Sequence, residues 1–248
     1  MNLWQRIRRK LKSNPVETVD AHTGYERWAS KYKDEDNPLL SLEKNAIQTL
    51  LPNLNQLNIL DFGCGVGRGI KMMADHGAAC VVGIDFSFNM LTEAKSQLHI
   101  ESNSRLLQAN GLFLPFVKDS FEVVLSSFVM GHIEQLGEAL KEIVRVTRSG
   151  GTILISDFHP FCTIIGWNRS FLEWHGNRYK EFRIRNYVHL HEDYFRIFKE
   201  ANLKLEEIRE PRIDDSVKHF FDRTPKGRET YKQSVGYPAV LIFKLSKP

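Results

Sequence analysis

Cysteine is scarce: Cys64, Cys80 and Cys162 stand far apart in a chain of 248 residues. Their spacing matches no zinc arrangement and supplies no disulfide framework, so they read as reduced thiols in a reducing compartment. No apolar run reaches the roughly 20 residues that a membrane span needs, and the N-terminus lacks the apolar stretch and small-residue cleavage site of a secretory signal. The protein is therefore expected in the cytoplasm. Repeats, low-complexity tracts and long linkers are absent as well. With 42% hydrophobic and 26% charged residues, the composition is that of one globular domain with a sizeable core.

Concentrated positive charge is lacking outside one place. Residues 1–12 hold Arg6, Arg8, Arg9, Lys10 and Lys12 and no acid, so the +4 of the whole chain becomes −1 for the remainder. A nucleic-acid enzyme needs a basic track along its working face, and the body of the chain offers none. Within residues 1–13, Leu3, Trp4, Ile7 and Leu11 fall at the spacing of one helical face among these basic residues. Such an arm makes peripheral contact with an anionic membrane surface, docks on its own domain as a short amphipathic helix, or is a frayed terminus.

What the chain does have is Leu60-Asp-Phe-Gly-Cys-Gly-Val-Gly-Arg-Gly69, an apolar strand that passes an acid and enters alternate glycines. Leu57, Ile59 and Leu60 suit a buried parallel strand, and the glycines let the backbone turn sharply and approach a ligand. A helix is expected from about Arg68, presenting unpaired N–H groups to an anionic group. A dinucleotide fingerprint would need a third glycine where Arg68 stands. Further along, Cys80-Val-Val-Gly-Ile-Asp-Phe-Ser87 is a β-branched run that ends in a carboxylate. Asp85 at a strand's C-terminal end suits two ribose hydroxyls, while it or Ser87 is equally suited to cap the next helix.

This combination resembles the class I S-adenosylmethionine-dependent methyltransferases, and segments in the same order extend the resemblance over about residues 57–156. Gln108 to Phe116 is similar to the family's Asp-x-x-x-Leu-Pro-Phe stretch, with Asn110 in place of the aspartate. Phe121 to Ile133 looks like the fourth strand and ends at Met130-Gly131-His132-Ile133. Ala139 to Ser156 resembles the fifth helix and strand, with Ser-Gly-Gly for Pro-Gly-Gly. The resemblance implies S-adenosylmethionine as cofactor. Gly63, Gly65 and Gly67 would cradle its methionine part, Asp61 would order the loop and orient the amino group, and Asp85 would hold the ribose. Asn110 and Gly111 would face the adenine between Phe86 and Met90, with Ser126 beside the site.

Tyr25-Glu-Arg-Trp-Ala-Ser-Lys-Tyr32 resembles the segment that precedes the core in many small-molecule methyltransferases. Tyr25, Trp28 and Tyr32 share one helical face, which either closes over the cofactor or packs the helix to the core. After Ser156 comes an insertion rich in aromatics and histidine, from Phe161 and Trp167 through Trp174 and Tyr179 to Tyr187, His189 and His191. It reads as a substrate cap with aromatic walls. His159 and His132 are the candidate catalytic groups for removing a proton from the acceptor, although His159 is also placed to cap a turn before Pro160. No histidine set has a trusted metal-ligand spacing, so no metal is expected.

The expected fold is α/β: a Rossmann-like, seven-stranded doubly wound sheet with a terminal antiparallel strand pair and an inserted aromatic-rich cap. The expected organisation is an arm over residues 1–20 and one methyltransferase domain over 21–248. That domain divides into a cofactor core at 50–157, a cap at 158–200 and the strand pair with its connection at 201–248, the stretch Asp214 to Tyr237 adding a further pocket wall. The expected activity is methyl transfer to oxygen or carbon of a small organic acceptor. Two alternatives stay open: a quinone- or lipid-type acceptor at a membrane surface, and a non-catalytic S-adenosylmethionine-binding partner protein.

Overall fold

The computed structural model describes residues 16–32, 37–98, 103–176 and 178–248. The basic arm at 1–13 and Lys33 lie outside them. Strands are β1 (Glu17–Val19), β2 (Asn58–Phe62), β3 (Cys80–Asp85), β4 (Ser104–Gln108), β5 (Phe121–Ser127), β6 (Thr147–Phe158), β7 (Ser170–His175), β8 (Arg178–Ile184), β9 (Lys204–Arg209) and β10 (Val240–Ser246). The helices are α1 (Ala21–Trp28), α2 (Pro38–Leu50), α3 (Arg68–Asp75), α4 (Phe88–Gln97), α5 (Leu136–Val146), α6 (Pro160–Ile164), α7 (His191–Glu200), α8 (Lys218–Phe221) and α9 (Pro225–Ser234).

Seven strands form the main sheet in the order β4-β3-β2-β5-β6-β10-β9. All neighbours from β4 to β6 pair in parallel, and β10 runs antiparallel to both β6 and β9. The expected fold class, with its antiparallel end, is what the chain adopts. Alternation along the strands divides the core between the two faces. Ile59, Val123, Leu125, Leu154 and Ile242 pack with α2 and α3, while Leu60, Val124, Ile153, Ile155 and Phe243 pack with α5 and α7. Each of these side chains is essentially inaccessible to water, and each such burial contributes about 1.5–3 kcal/mol.

The chain runs outward from β2 to β4, then returns to the other side of β2 as β5. This reversal between β2 and β5 opens a crevice beyond their C-terminal ends, the general ligand position in open α/β sheets. α3 starts there because Gly67, in the left-handed region at φ 89°, breaks the strand direction and serves as its N-cap.

A second sheet, β1-β8-β7, covers one side of the crevice. β7 and β8 form an antiparallel hairpin within the insertion, and β1 adds to β8 in parallel, Thr18 opposite Arg183. Residues 17–19 of the expected arm thus pair with the insertion. Pairing between segments so distant in sequence leaves no local pattern to read. Trp28 stacks on Phe171 at 5.5 Å, Phe171 stacks on Phe182 at 5.5 Å, and Arg27 lies 3.9 Å above the Phe182 ring, which seats α1 on this sheet.

The stretch Asp214 to Tyr237 was expected to wall the pocket and does not. It folds into a 3-10 turn (Asp215–Val217), α8 and α9, from which Val217, Phe221 and Tyr231 join the core beside α2. No helix among the described residues is long and apolar enough to cross a membrane.

Candidate functional site

The crevice is a cavity of about 430 Å³, lined by residues that follow β2, β3 and β5 and by α1, with Phe158, Arg169 and Tyr187. One end is built by the glycine loop. Gly65 has φ +53°, a conformation that side-chain-bearing residues rarely take, and a Cβ there would meet no atom within 4 Å. It therefore presents bare backbone to open cavity. The loop is held from β3, since Asp85 Oδ2 accepts the Gly65 N–H at 2.8 Å and Oδ1 accepts the Ser87 N–H at 2.8 Å. Each carboxylate oxygen keeps a further acceptor position for a ligand. Burial raises the Asp85 pKa, and the N–H groups of Ser87, Gly65 and Phe86 oppose that. The capping of α4 falls to Ser87, whose hydroxyl accepts the Met90 N–H at 3.1 Å.

Asp61 lies under the loop with 1% exposure. Its carboxyl is pushed up to about 7 by burial, assisted by Glu43 and Asp85 and opposed by Arg68. Its Oδ2 is buried without a hydrogen-bond partner. Oδ2 itself faces Gly69, where a Cβ would come within 2.5 Å, so it is an orphaned, desolvated acceptor packed against the start of α3.

Phe86, Met90, Asn110 and Gly111 line the same end. Asn110 Oδ1 already accepts the Leu112 N–H at 2.9 Å, so one of its two acceptor positions is committed to the turn. Tyr25, Trp28 and Tyr32 also face the cavity, while Trp28 packs on the second sheet. Both readings of that aromatic stripe therefore apply.

His132 also lines the cavity, its ring edge-on to Tyr25 at 5.2 Å. Nδ1 sits 3.2 Å from the Arg185 carbonyl oxygen, which can only accept, so the ring proton belongs on Nδ1. Nε2 then carries the lone pair, accepting from the Tyr25 hydroxyl at 2.9 Å and from Arg169. Burial first, and the Arg169 charge second, hold the imidazole well below its ordinary pKa. The ring is neutral at pH 7.

Three sequence candidates are not brought into the cavity. His159 is the N-cap of α6: Nδ1 accepts the Phe161 N–H at 3.2 Å and Nε2 meets Glu210 Oε1 at 3.2 Å. Its neighbour Phe158 takes the inward position, one residue along β6 having changed the side. Ser126 is wholly buried with an unpartnered hydroxyl, and by the same alternation Ser127 is the serine that lines the cavity. Gly67 caps α3, where a Cβ would lie 2.6 Å from Leu98 Cδ1 and not toward a ligand. The aromatic insertion likewise gives the cavity Tyr187 but none of Phe161, Trp167, Phe171, Trp174, Tyr179 or Phe182.

His159, His191 and Glu210 do bring their ligand atoms within 4.8 Å of one another. Because His159 Nδ1 accepts a backbone N–H, its Nε2 carries the proton and points it at Glu210. The three therefore form a hydrogen-bonded set and offer no free lone pair at that nitrogen.

Sequence reasoning missed a buried network behind the loop. Arg68 donates from Nη1 to Glu43 Oε2 and from Nη2 to Ser127 Oγ, each at 2.7 Å. Ser127 and Ser156 both donate to Glu43 Oε1, at 2.6 and 2.7 Å. Glu43 stands in an apolar helix and is 1% exposed, a signal visible only once its helix face is known to be buried. Arg169 was missed too, having no motif around it.

Residues 60–155 match the family model described as a methyltransferase domain. An uncharacterized protein of Haemophilus influenzae is 35% identical over 132 residues, 49% of this chain and 50% of that one. A demethylmenaquinone methyltransferase of Lactococcus lactis is 34% identical over 137 residues, 51% of this chain and 54% of that one. These matches span about half the length of those relatives. A solved structure described as an S-adenosylmethionine-dependent methyltransferase of Mesorhizobium loti superposes with a TM-score of 0.65 at 19% identity, covering 85% of this chain and 100% of that one, and shows the shared fold. Residues 60–155, with the glycine loop and Asp85, thus carry a methyltransferase domain, on a fold shared with solved S-adenosylmethionine-dependent methyltransferases.

Proposed function

We propose that the whole chain is an S-adenosylmethionine-dependent methyltransferase that methylates oxygen or carbon of a small organic acceptor. The observation that carries this reading is the cavity at the reversal of strand order, lined by the Asp61 and Asp85 carboxyls, by exposed Gly65 backbone and by a neutral imidazole.

The residues fit the cofactor. Asp61 places a carboxyl beneath the loop whose negative charge suits a nearby ammonium group, Asp85 retains an acceptor position suited to a ribose hydroxyl, and Gly65 leaves space above its backbone. Phe86 and Met90 supply apolar walls for a purine, and Asn110 one further acceptor position. When bound, S-adenosylmethionine supplies an electrophilic methyl group on a sulfonium centre. The protein's tasks are to hold the acceptor in line behind that group and to keep water away. Tyr25, Trp28 and Tyr32 close the cavity from above. His132 Nε2 becomes the basic atom for an acceptor that must lose a proton once that acceptor displaces the Tyr25 hydroxyl or Arg169 from it, while His159 does not line the cavity.

A quinone-type acceptor is the second reading, favoured by the name of the Lactococcus lactis relative. Its aromatic plane suits the cavity's Phe158 and Tyr187.

Incubation of the purified protein with methyl-labelled S-adenosylmethionine and a fractionated cell extract tests both. Label in small molecules supports the first reading, and label in a quinone fraction supports the second. Label in protein or nucleic acid, or none in any fraction, would overturn the proposal.

A further inference from the structure

Arg169 enters the cavity from just before β7, and its guanidinium lies 4.2 Å from the centre of the Phe158 ring and 5.5 Å from that of Phe128. All of its hydrogen bonds among the described residues leave from Nη1, toward the Phe128 carbonyl at 2.9 Å, the Tyr25 hydroxyl at 3.5 Å and His132 Nε2. Its Nη2 and Nε groups make none. Neither atom is among the buried side-chain atoms that lack a partner, so both remain reachable. Together they form the planar edge that receives a carboxylate or another oxyanion through two parallel hydrogen bonds.

No carboxylate among the described residues forms an ion pair with Arg169. The acid whose charge it feels, Asp157, is buried and pushed toward its neutral form, and is already engaged by the Phe158 N–H at 2.8 Å and the Tyr194 hydroxyl at 3.3 Å. The cavity's buried acids, Asp61 and Asp85, stand at the glycine-loop end. One cavity thus holds these acids and two guanidinium groups, of which Arg68 is paired with Glu43 while Arg169 has no carboxylate in contact among the described residues.

We infer that Arg169 is the acceptor's anion-binding residue, and that the substrate class is an aromatic or flat apolar molecule carrying an oxyanion, either a carboxylate or an ionised hydroxyl. This rests on the methyltransferase reading, in which a cationic sulfonium shares the cavity. An anion seated between two cations relieves the repulsion of both, whereas a neutral acceptor leaves the guanidinium desolvated and uncompensated. The neutral His132 fits the same scheme. A guanidinium that opposes protonation of the imidazole also stabilises the acceptor's own anion, so the acceptor is held already ionised and the imidazole accepts a hydrogen bond beside it.

The test is a binding measurement by calorimetry on the full chain, with and without S-adenosylhomocysteine. Three flat probes of similar size are compared: 2-naphthoate, 2,4-dinitro-1-naphtholate and the neutral naphthalene-2-carboxamide. At least one of the two anions should bind about tenfold or more tightly than the carboxamide, as a charge-assisted pair of hydrogen bonds requires. Which anion it is separates a carboxylate from an ionised hydroxyl. Arg169→Gln should abolish the preference while S-adenosylhomocysteine binding stays intact, and Arg169→Lys should retain part of it. Equal binding of anions and carboxamide, no saturable binding of either anion, or a preference that survives in Arg169→Gln would overturn the assignment. Failure of the wild-type chain to bind S-adenosylhomocysteine is a separate result that strikes at the methyltransferase reading and leaves the probe comparison legible.

Discussion

Asp85 Oδ2 accepts the Gly65 N–H at 2.8 Å, so the carboxylate that ends one strand fixes the loop that ends its neighbour. The same group that is proposed to take the ribose therefore also shapes the floor beneath it. Asp85→Ala removes two backbone hydrogen bonds and both acceptor positions. S-adenosylhomocysteine affinity should fall by at least about tenfold in calorimetry. A change within twofold would remove Asp85 from cofactor binding.

Asp61 gives a pH dependence with a definite sign. Its folded pKa of about 7 stands above the ordinary 3.8 of the unfolded chain. Between those values the folded chain holds a proton that the unfolded chain has released, so this residue makes stability fall as pH rises from about 4 to about 7, and level off above. Chemical denaturation of wild type and Asp61→Asn across that range should differ by this slope. S-adenosylhomocysteine, whose ammonium favours the ionised carboxylate, should bind more tightly at pH 8 than at pH 6 in wild type and show no such gain in Asp61→Asn.

The two candidate bases separate cleanly. His132→Ala should lower turnover at least tenfold, the usual worth of a group that handles a proton or its hydrogen bond in the site. His159→Ala should leave turnover within about twofold and cost about 1 kcal/mol of stability through loss of the α6 cap. Steady-state rates on the acceptor found by labelling, beside thermal melts, decide this. A large rate loss in His159→Ala with His132→Ala unaffected would reverse the assignment.

Glu43→Leu leaves the Arg68 guanidinium and two serine hydroxyls without their common acceptor. Breaking one side of a buried pair costs about 3 kcal/mol, and a clear drop in melting temperature is expected. Ser156→Ala removes one bond of the same set and should cost about 1 kcal/mol. Equal melting of Glu43→Leu and wild type would show that the network contributes nothing net.

The glycine-loop end of the cavity was legible because its backbone geometry is local. Gly63 to Gly69 and Asp85 lie at strand ends in short segments whose residue types state what the backbone must do. The acceptor end was not, because it is assembled across the fold. Arg169 meets His132 across 37 positions and Glu43 meets Ser156 across 113, and neither pair leaves a spacing in the chain. His159 misled because composition and nearness to a strand end do not say which side of that strand a residue takes. Ser126 failed by the same single step of alternation.

The pairing of β1 with β8 bears on how this protein would be re-engineered. The insertion that carries Arg169 and Tyr187 invites grafting from a relative to change acceptor choice while the glycine loop is kept. A transplant bounded at 158 and 200 would strip β8 of the strand that covers its outer edge, and an uncovered edge is a template for aggregation. The unit to be exchanged is therefore discontinuous, the insertion together with Glu17–Val19.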